Sequence, residues 1–280
     1  MSKKTAFKRL PRNFHKTFKP ERHYISAMLR FAAARQTGSF WDISKKTGIP
    51  MGKSSGKVPA ILDYCRGMGL IELPNTALKK PKLTEFGRIV FLEDPFLKTE
   101  ISQWLAHFHL CSPLHGSDVW YHSFFAGAQA LGNRFSRGNL EAYLKVVYGV
   151  SKGRLVGPLL NTYNDEAALK VCGALAIGND ELIQRRPAPI NSKLILGYGA
   201  WMLQLIDNHF PGEQQVSEAE LDLKAGWRTI PGWNNSPWQI VLGRIEQKGL
   251  LSVDRHMQPW LLSPRKGARE AWRAIFDDMI

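Results

Sequence analysis

Three carboxylates, Glu93, Asp94 and Glu100, stand close together in the chain, and a histidine, His15, stands near its start. Carboxylate oxygens suit a hard divalent cation such as Mg²⁺ or Mn²⁺, and an imidazole can move a proton near neutral pH. Such groups could activate a water against a phosphodiester, a reaction that needs a nucleophile, charge stabilisation on phosphate and often a metal. The same acids also suit helix N-termini, where a carboxylate caps backbone N–H groups and opposes the helix dipole. His107 and His109 are two apart, on different faces of a helix, a poor spacing for one metal. His115 and His122 have no partner in the pattern. The residues offered for catalysis are His15, Asp94 and Glu100, in no known nuclease motif and with the metal ligands unassigned.

A second set of side chains could bind a polyanion. The net charge is +14, and it is unevenly placed: residues 1–80 hold 17 of the 38 Lys and Arg but only 4 of the 24 Asp and Glu. A basic stretch joined to a near-neutral body suits a phosphate backbone, whereas a merely solvated surface would need no such concentration. Within it, Lys45, Lys46, Lys53, Ser54, Ser55 and Lys57 surround a turn and the start of a helix, and Lys79, Lys80 and Lys82 lie in a loop further on. All nine can donate to phosphates, and those at a helix start can reach base edges.

The elements that must position these groups read as mainly α. After a basic arm over residues 1–22, expected to be partly extended, helices are predicted over 23–35, 40–47 and 55–68. Val58, Ile61, Leu62, Cys65 and Met68 share one helical face, and Trp41 and Ile43 are expected to point inward. A short strand at 70–73, a basic loop and a helix over 85–92 capped by Thr84 follow. Helix, helix, turn, helix and hairpin is the order of a winged helix-turn-helix, whose third helix enters the major groove. Pro95 is expected to restart the chain as an apolar helix, followed by the aromatic run 119–125 and helices over 139–148 and 165–176. The end of the chain echoes its beginning: Ile61-Leu62, Cys65 and Gly69-Leu70-Ile71 recur as Val241-Leu242, Ile245 and Gly249-Leu250-Leu251, offset by 180. Helices over 194–210 and 236–248, with Ile240, Val241, Leu242 and Ile245 inward, and a wing over 254–258 complete that echo. The fold class expected is therefore mainly α, with winged helix-turn-helix domains flanking a helical middle region and short β-hairpin wings. The domains are 1–92, 93–193 and 194–280. The near-neutral last domain offers a surface for partners or a homodimer.

Other classes are excluded. No apolar run reaches the ~18 residues of a membrane span. The basic start lacks the apolar core of a signal peptide. Cys65, Cys111 and Cys172 are odd in number and far apart, which suits a reducing cytoplasm rather than a disulfide framework.

The ordered motifs resemble those of the SspB-type family of bacterial proteins. They are Phe14-His15-Lys16-Thr17-Phe18; Leu83-Thr84 with Gly87; Asp94-Pro95-Phe96-Leu97; Trp104-Leu105-Ala106-His107; Trp120-Tyr121 with Phe124-Phe125; Thr162-Tyr163; and Asn235 to Ile240. The resemblance implies a cytoplasmic protein of a DNA phosphorothioation system, in which sulfur replaces a non-bridging backbone oxygen. It implies that the protein binds double-stranded DNA and nicks one strand for sulfur incorporation. The companions it implies are a cysteine desulfurase, an ATPase and a reductase-like sulfur-transfer protein. This chain departs from the family's His-Glu-Thr-Phe, with Lys16 in the place of Glu. The alternatives are a non-catalytic winged-helix transcription regulator, or a DNA adaptor for sulfur-transfer enzymes.

Overall fold

The computed structural model describes residues 8–52, 56–149, 154–178, 182–234 and 236–277. Its first helix, α1 (Arg22–Ala33), buries Ile25, Met28, Leu29 and Phe31. Ser39 and Asp42 cap one another across the start of α2 (Phe40–Thr47), and Gly48 closes that helix in the left-handed region. Helix α3 (Lys57–Gly67) buries Val58, Ile61, Leu62 and Cys65. Strands β1 (Ile71–Glu72) and β2 (Lys82–Leu83) form an antiparallel ribbon, and Thr84 caps α4 (Glu85–Glu93) by accepting from the Gly87 N–H at 2.8 Å. Trp41 is not inward as expected but 58% exposed. Ile43 takes the core side of this two-turn helix, and a residue two positions away points to its far side.

The helix expected to restart at Pro95 begins later. The Asp94 carboxylate accepts from the Lys98 and Thr99 N–H groups and from the Thr99 hydroxyl, at 2.8, 2.9 and 2.7 Å. These bonds hold residues 94–99 as a turn, because a short acidic side chain competes for the N–H groups a helix would use. Helix α5 (Glu100–Leu110) follows, with every residue from Ile101 to Leu110 buried.

The aromatic run continues α6 (Asp118–Tyr121) into a π-helical turn, His122–Ala126. Then come α7 (Ala128–Leu131), β3 (Arg134–Ser136), α8 (Arg137–Tyr148), α9 (Val156–Asn164), β4 (Leu175–Ile177) and β5 (Leu182–Arg185). The three strands form an antiparallel sheet in the order β3-β5-β4. The helix expected over 165–176 is absent. Asp165 accepts from the Ala167 N–H, a short 3₁₀ turn runs over Lys170–Cys172, and Gly173 at φ +64 turns the chain into β4. The helix lies earlier, in α9.

Helix α10 (Ser192–His209) buries twelve of its eighteen residues and packs on α5. It is followed by β6 (Val216–Ser217), α11 (Glu218–Ala225), α12 (Pro237–Gln247), β7 (Leu251–Asp254), β8 (Leu261–Pro264) and α13 (Ala268–Arg273). The sheet order is β6-β8-β7. The bounds of α12 are those of α3 displaced by 180, and the turns that end the two helices match bond for bond. Leu70 N donates to Cys65 O, and Leu250 N to Ile245 O. Gly69 and Gly249 both turn the chain with positive φ, +69° and +70°. Ile240, expected inward, is half exposed, since Val241, Leu242 and Ile245 fill the inward face.

The two repeated stretches meet through their last helices. Arg269 Nε on α13 lies 3.2 Å from Glu85 Oε1 on α4, and the rings of Trp272 and Phe86 are 4.9 Å apart. From residue 8 onward, the arm before α1 is a strap anchored in the core rather than an extended tail. Leu10, Phe14 and His15 are buried, Leu10 forms a parallel bridge to Ser117, and Tyr64 on α3 donates to the Phe18 carbonyl at 2.9 Å. Buried apolar residues from Leu10 to Ile275 form one connected cluster. Among the described residues no helix is long and apolar enough to cross a membrane.

Candidate nucleic-acid interface

Four of the basic side chains named from the sequence are exposed and carry no ion pair within the described residues. Lys45 and Lys46 occupy the last turn of α2, where the helix dipole favours cations. Lys80 precedes β2 and Lys82 is its first residue. Lys79 is half-buried; its ammonium donates to the Thr76 carbonyl at 2.9 Å and lies 5.7 Å from the Phe40 ring. Its backbone pairs with Gly38 in both directions, at 3.2 and 2.9 Å, which ties the basic loop to the start of α2. This bridge brings Lys79 and α2 together although about forty positions separate them in the chain.

Lys57 behaves differently. Its ammonium lies 2.7 Å from Glu21 Oε2, sits over the rings of Tyr24 and Phe18 at 4.6 and 5.3 Å, and its side chain is only 17% exposed. The first residue of α3 is thus bound inward to the strap. Lys53, Ser54 and Ser55 lie outside the described residues. Much of the strap's own charge is also paired internally. Arg9 meets Asp118 at 3.1 Å and lies 4.0 Å from the Tyr121 ring, and Lys19 pairs with Asp165.

The three residues offered for catalysis do not converge. His15 is buried in the strap, its Nδ1 accepts from the Thr17 N–H at 3.0 Å, and its Nε2 has no hydrogen-bond partner among the described residues. Burial lowers its pKa to about 4, so the imidazole is neutral at physiological pH. Lys16 and Thr17, exposed beside it, adopt positive φ, +47° and +73°. Asp94 is buried, and both its oxygens serve the turn that precedes α5. Glu100 is the first residue of α5, where its charge opposes the helix dipole. Among the described residues no group of three His, Cys, Asp or Glu could hold a metal ion.

The family described as "Protein of unknown function (DUF4007)" matches residues 13–156. The chain belongs to that family. The DUF4007 segment runs from the strap through α3, α5 and α8 to the first residue of α9, so it contains the basic face, His15, Asp94 and Glu100. No curated protein matches the chain. Two solved structures share its fold. One, "SspB crystal structure", superposes with a TM-score of 0.67 at 16% identity. The other, "Magnesium ion-bound SspB crystal structure", gives 0.65 at 15%. Each likeness covers 98% of this chain and 88% of the other. The fold is therefore of the SspB type from end to end, beyond the DUF4007 segment.

A cavity of about 460 Å³ was not legible as a site in the sequence. It is walled by side chains as far apart in sequence as His107, Phe124, Arg185 and Ile230. His107 and Phe124 fall in two of the resemblance motifs, but no spacing links them to each other or to Arg185 and Ile230, and none of the nine residues proposed for DNA lines the cavity.

Proposed function

We propose that this protein is a DNA-binding component of a DNA phosphorothioation system, and that it grips duplex DNA through the basic face of its first unit. The observation that carries the reading is the set of exposed lysines Lys45, Lys46, Lys80 and Lys82, without ion pairs among the described residues, in a stretch that holds nearly all the excess charge. In this reading α1 to β2 form a winged helix-turn-helix. Lys45 and Lys46 and the wing residues Lys79, Lys80 and Lys82 hold phosphates, and Lys53, Ser54 and Ser55 read base edges ahead of α3. Lys57 is assigned to holding the strap against α3. The α10 to β8 stretch repeats the element order without the excess charge, which suits it to protein partners: a cysteine desulfurase, an ATPase, a reductase-like sulfur-transfer protein, or a second copy of the chain.

The experiment is binding of a fluorescent duplex across salt concentrations. Removing one lysine that holds a phosphate should make the slope of log K against log salt shallower by about 0.9. A flat salt dependence in the wild type would remove the reading.

Strand nicking is the further step. It rests on the SspB-type resemblance and on one local feature, a buried neutral imidazole at His15 whose Nε2 has no hydrogen-bond partner among the described residues. Mg²⁺ accompanies one SspB structure, but the carboxylates described here do not make a metal cage, so no step is routed through a metal. Conversion of supercoiled plasmid to open circles, abolished by His15→Ala, is the expected result. Plasmid that stays supercoiled with Mg²⁺ or Mn²⁺ would leave the adaptor reading.

A further inference from the structure

The 460 Å³ cavity lies within the roughly 300–1,000 Å³ of small-molecule sites. None of its twelve lining residues is Asp or Glu, while two, Arg185 and Arg186, are cations. Arg185, at the end of β5, points its guanidinium at backbone carbonyls: Ser123 at 3.2 Å, Ala128 at 2.8 Å and Gly132 at 3.1 Å. Among the described residues it meets no carboxylate. Burial lowers its pKa to about 10, which still leaves it charged. A half-buried cation balanced, among the described residues, only by carbonyl dipoles leaves a positive field in the space beside it. The Arg186 side chain is exposed, and its guanidinium makes no hydrogen bond or ion pair with any described residue. One fixed and one free guanidinium, with no acid opposing them, select an anion.

The remaining walls say what the anion is attached to. A bare tetrahedral ion would fill a small part of the space. Phe124 and Ile230 are buried apolar walls, and Asn133, Gln129 and Asn234 are exposed, so the amides ring the mouth. Amides both donate and accept, as the edge of a nucleobase requires. His107 lines the cavity at 1% exposure. Its Nδ1 lies 2.6 Å from the Tyr163 hydroxyl, which burial keeps protonated. The Cys111 sulfur lies 3.6 Å from Nδ1 and 4.0 Å from Nε2 of the same ring.

We infer that this cavity binds a nucleoside 5′-monophosphate, with the phosphate against Arg185 and Arg186 and the base between Phe124 and the rim amides. The inference stands apart from the basic face, and its failure would leave that reading intact. The nucleotide can come from two sources, free in solution or unstacked from a DNA strand.

The test uses the full chain and calorimetric titration with 5′-dAMP, deoxyadenosine and inorganic phosphate. The expected result is that 5′-dAMP binds at least tenfold more tightly than either fragment. Arg186→Ala should cost tenfold or more in 5′-dAMP affinity without moving the melting temperature, as removal of a charge-assisted hydrogen bond to a ligand does. Gln129→Trp, which plugs the mouth at an exposed position, should abolish binding and serves if Arg186→Ala is poorly folded. A duplex carrying 2-aminopurine separates the sources. A fluorescence rise with wild type that disappears in Arg186→Ala assigns the nucleotide to a strand, and 5′-dAMP binding without that rise assigns it to the free pool. No 5′-dAMP binding at millimolar concentration, equal affinity for inorganic phosphate, or unchanged affinity in both variants would overturn the assignment.

Discussion

The ammonium of Lys57 lies 2.7 Å from the carboxylate of Glu21, locking the first residue of α3 to the strap that precedes α1. The pair is mostly shielded from solvent, so removing one partner strands the other. Lys57→Ala should therefore act on folding, costing on the order of 1–3 kcal/mol in urea unfolding, and should leave the salt slope of DNA binding unchanged. Lys45→Ala with Lys46→Ala should do the reverse: no stability change beyond about 0.5 kcal/mol, and a salt slope shallower by about 1.8, the share of two phosphates. A shallower slope in Lys57→Ala would return that residue to the DNA interface.

Asp94 accepts three hydrogen bonds from the turn that launches α5. Hydrogen bonds to a charged acceptor contribute about 1.5–3 kcal/mol each before compensation. Asp94→Ala should destabilise by roughly 2–4 kcal/mol, and Asp94→Asn by less, because one amide oxygen still accepts. If Asp94→Asn unfolds like wild type yet loses all nicking, the carboxylate has a chemical role that this geometry does not give it.

Histidines buried wholly or in part make stability depend on acid. Burial lowers the pKa of His15 and His115 to about 4 and of His107 to about 3. In the unfolded chain each titrates near 6.5. Above that pH both states are neutral and nothing changes. As pH falls below it, the unfolded chain takes up protons that the folded protein refuses, so stability declines until the folded values are reached. The loss should be on the order of 2 kcal/mol per histidine at pH 5. Urea midpoints at pH 7.5, 6 and 5 measure it, and a midpoint that holds steady across them would mean these imidazoles are not buried.

Gly87 touches the chain where α4 packs on the end of α3. A Cβ there would sit 1.8 Å from the Leu70 carbonyl oxygen, a backbone atom that cannot rotate away. Gly87→Ala should cost about 3 kcal/mol or more and lower the yield of soluble protein. A thermal midpoint within 1 °C of wild type would show that α4 lies further out.

Local chemistry made part of this molecule legible. The capping pair Ser39 and Asp42 and the left-handed Gly48 bound α2 within a short run of chain, and the apolar period of α3 is repeated 180 positions later in α12. Thr84 and Gly87 likewise announced α4. Asp94 shows where such reasoning stops, since the same acid suits a cation or a turn and only the observed donors, the Lys98 and Thr99 N–H groups, decide between them.

By itself the sequence determined the helices of the first unit, the repeat and the concentration of positive charge, because each depends on residues within a turn or two of one another or on composition alone. Tertiary structure decided the rest. The three-residue strands of β3 and β4 carry no period long enough to read, and exist because both pair with β5, Arg134 opposite Gln184 and Ala176 opposite Gln184. Whether Lys57 faces a phosphate or Glu21, and whether Arg185 and His107 share a cavity, are long-range facts. They follow from how the chain closes on itself, which no spacing along it records.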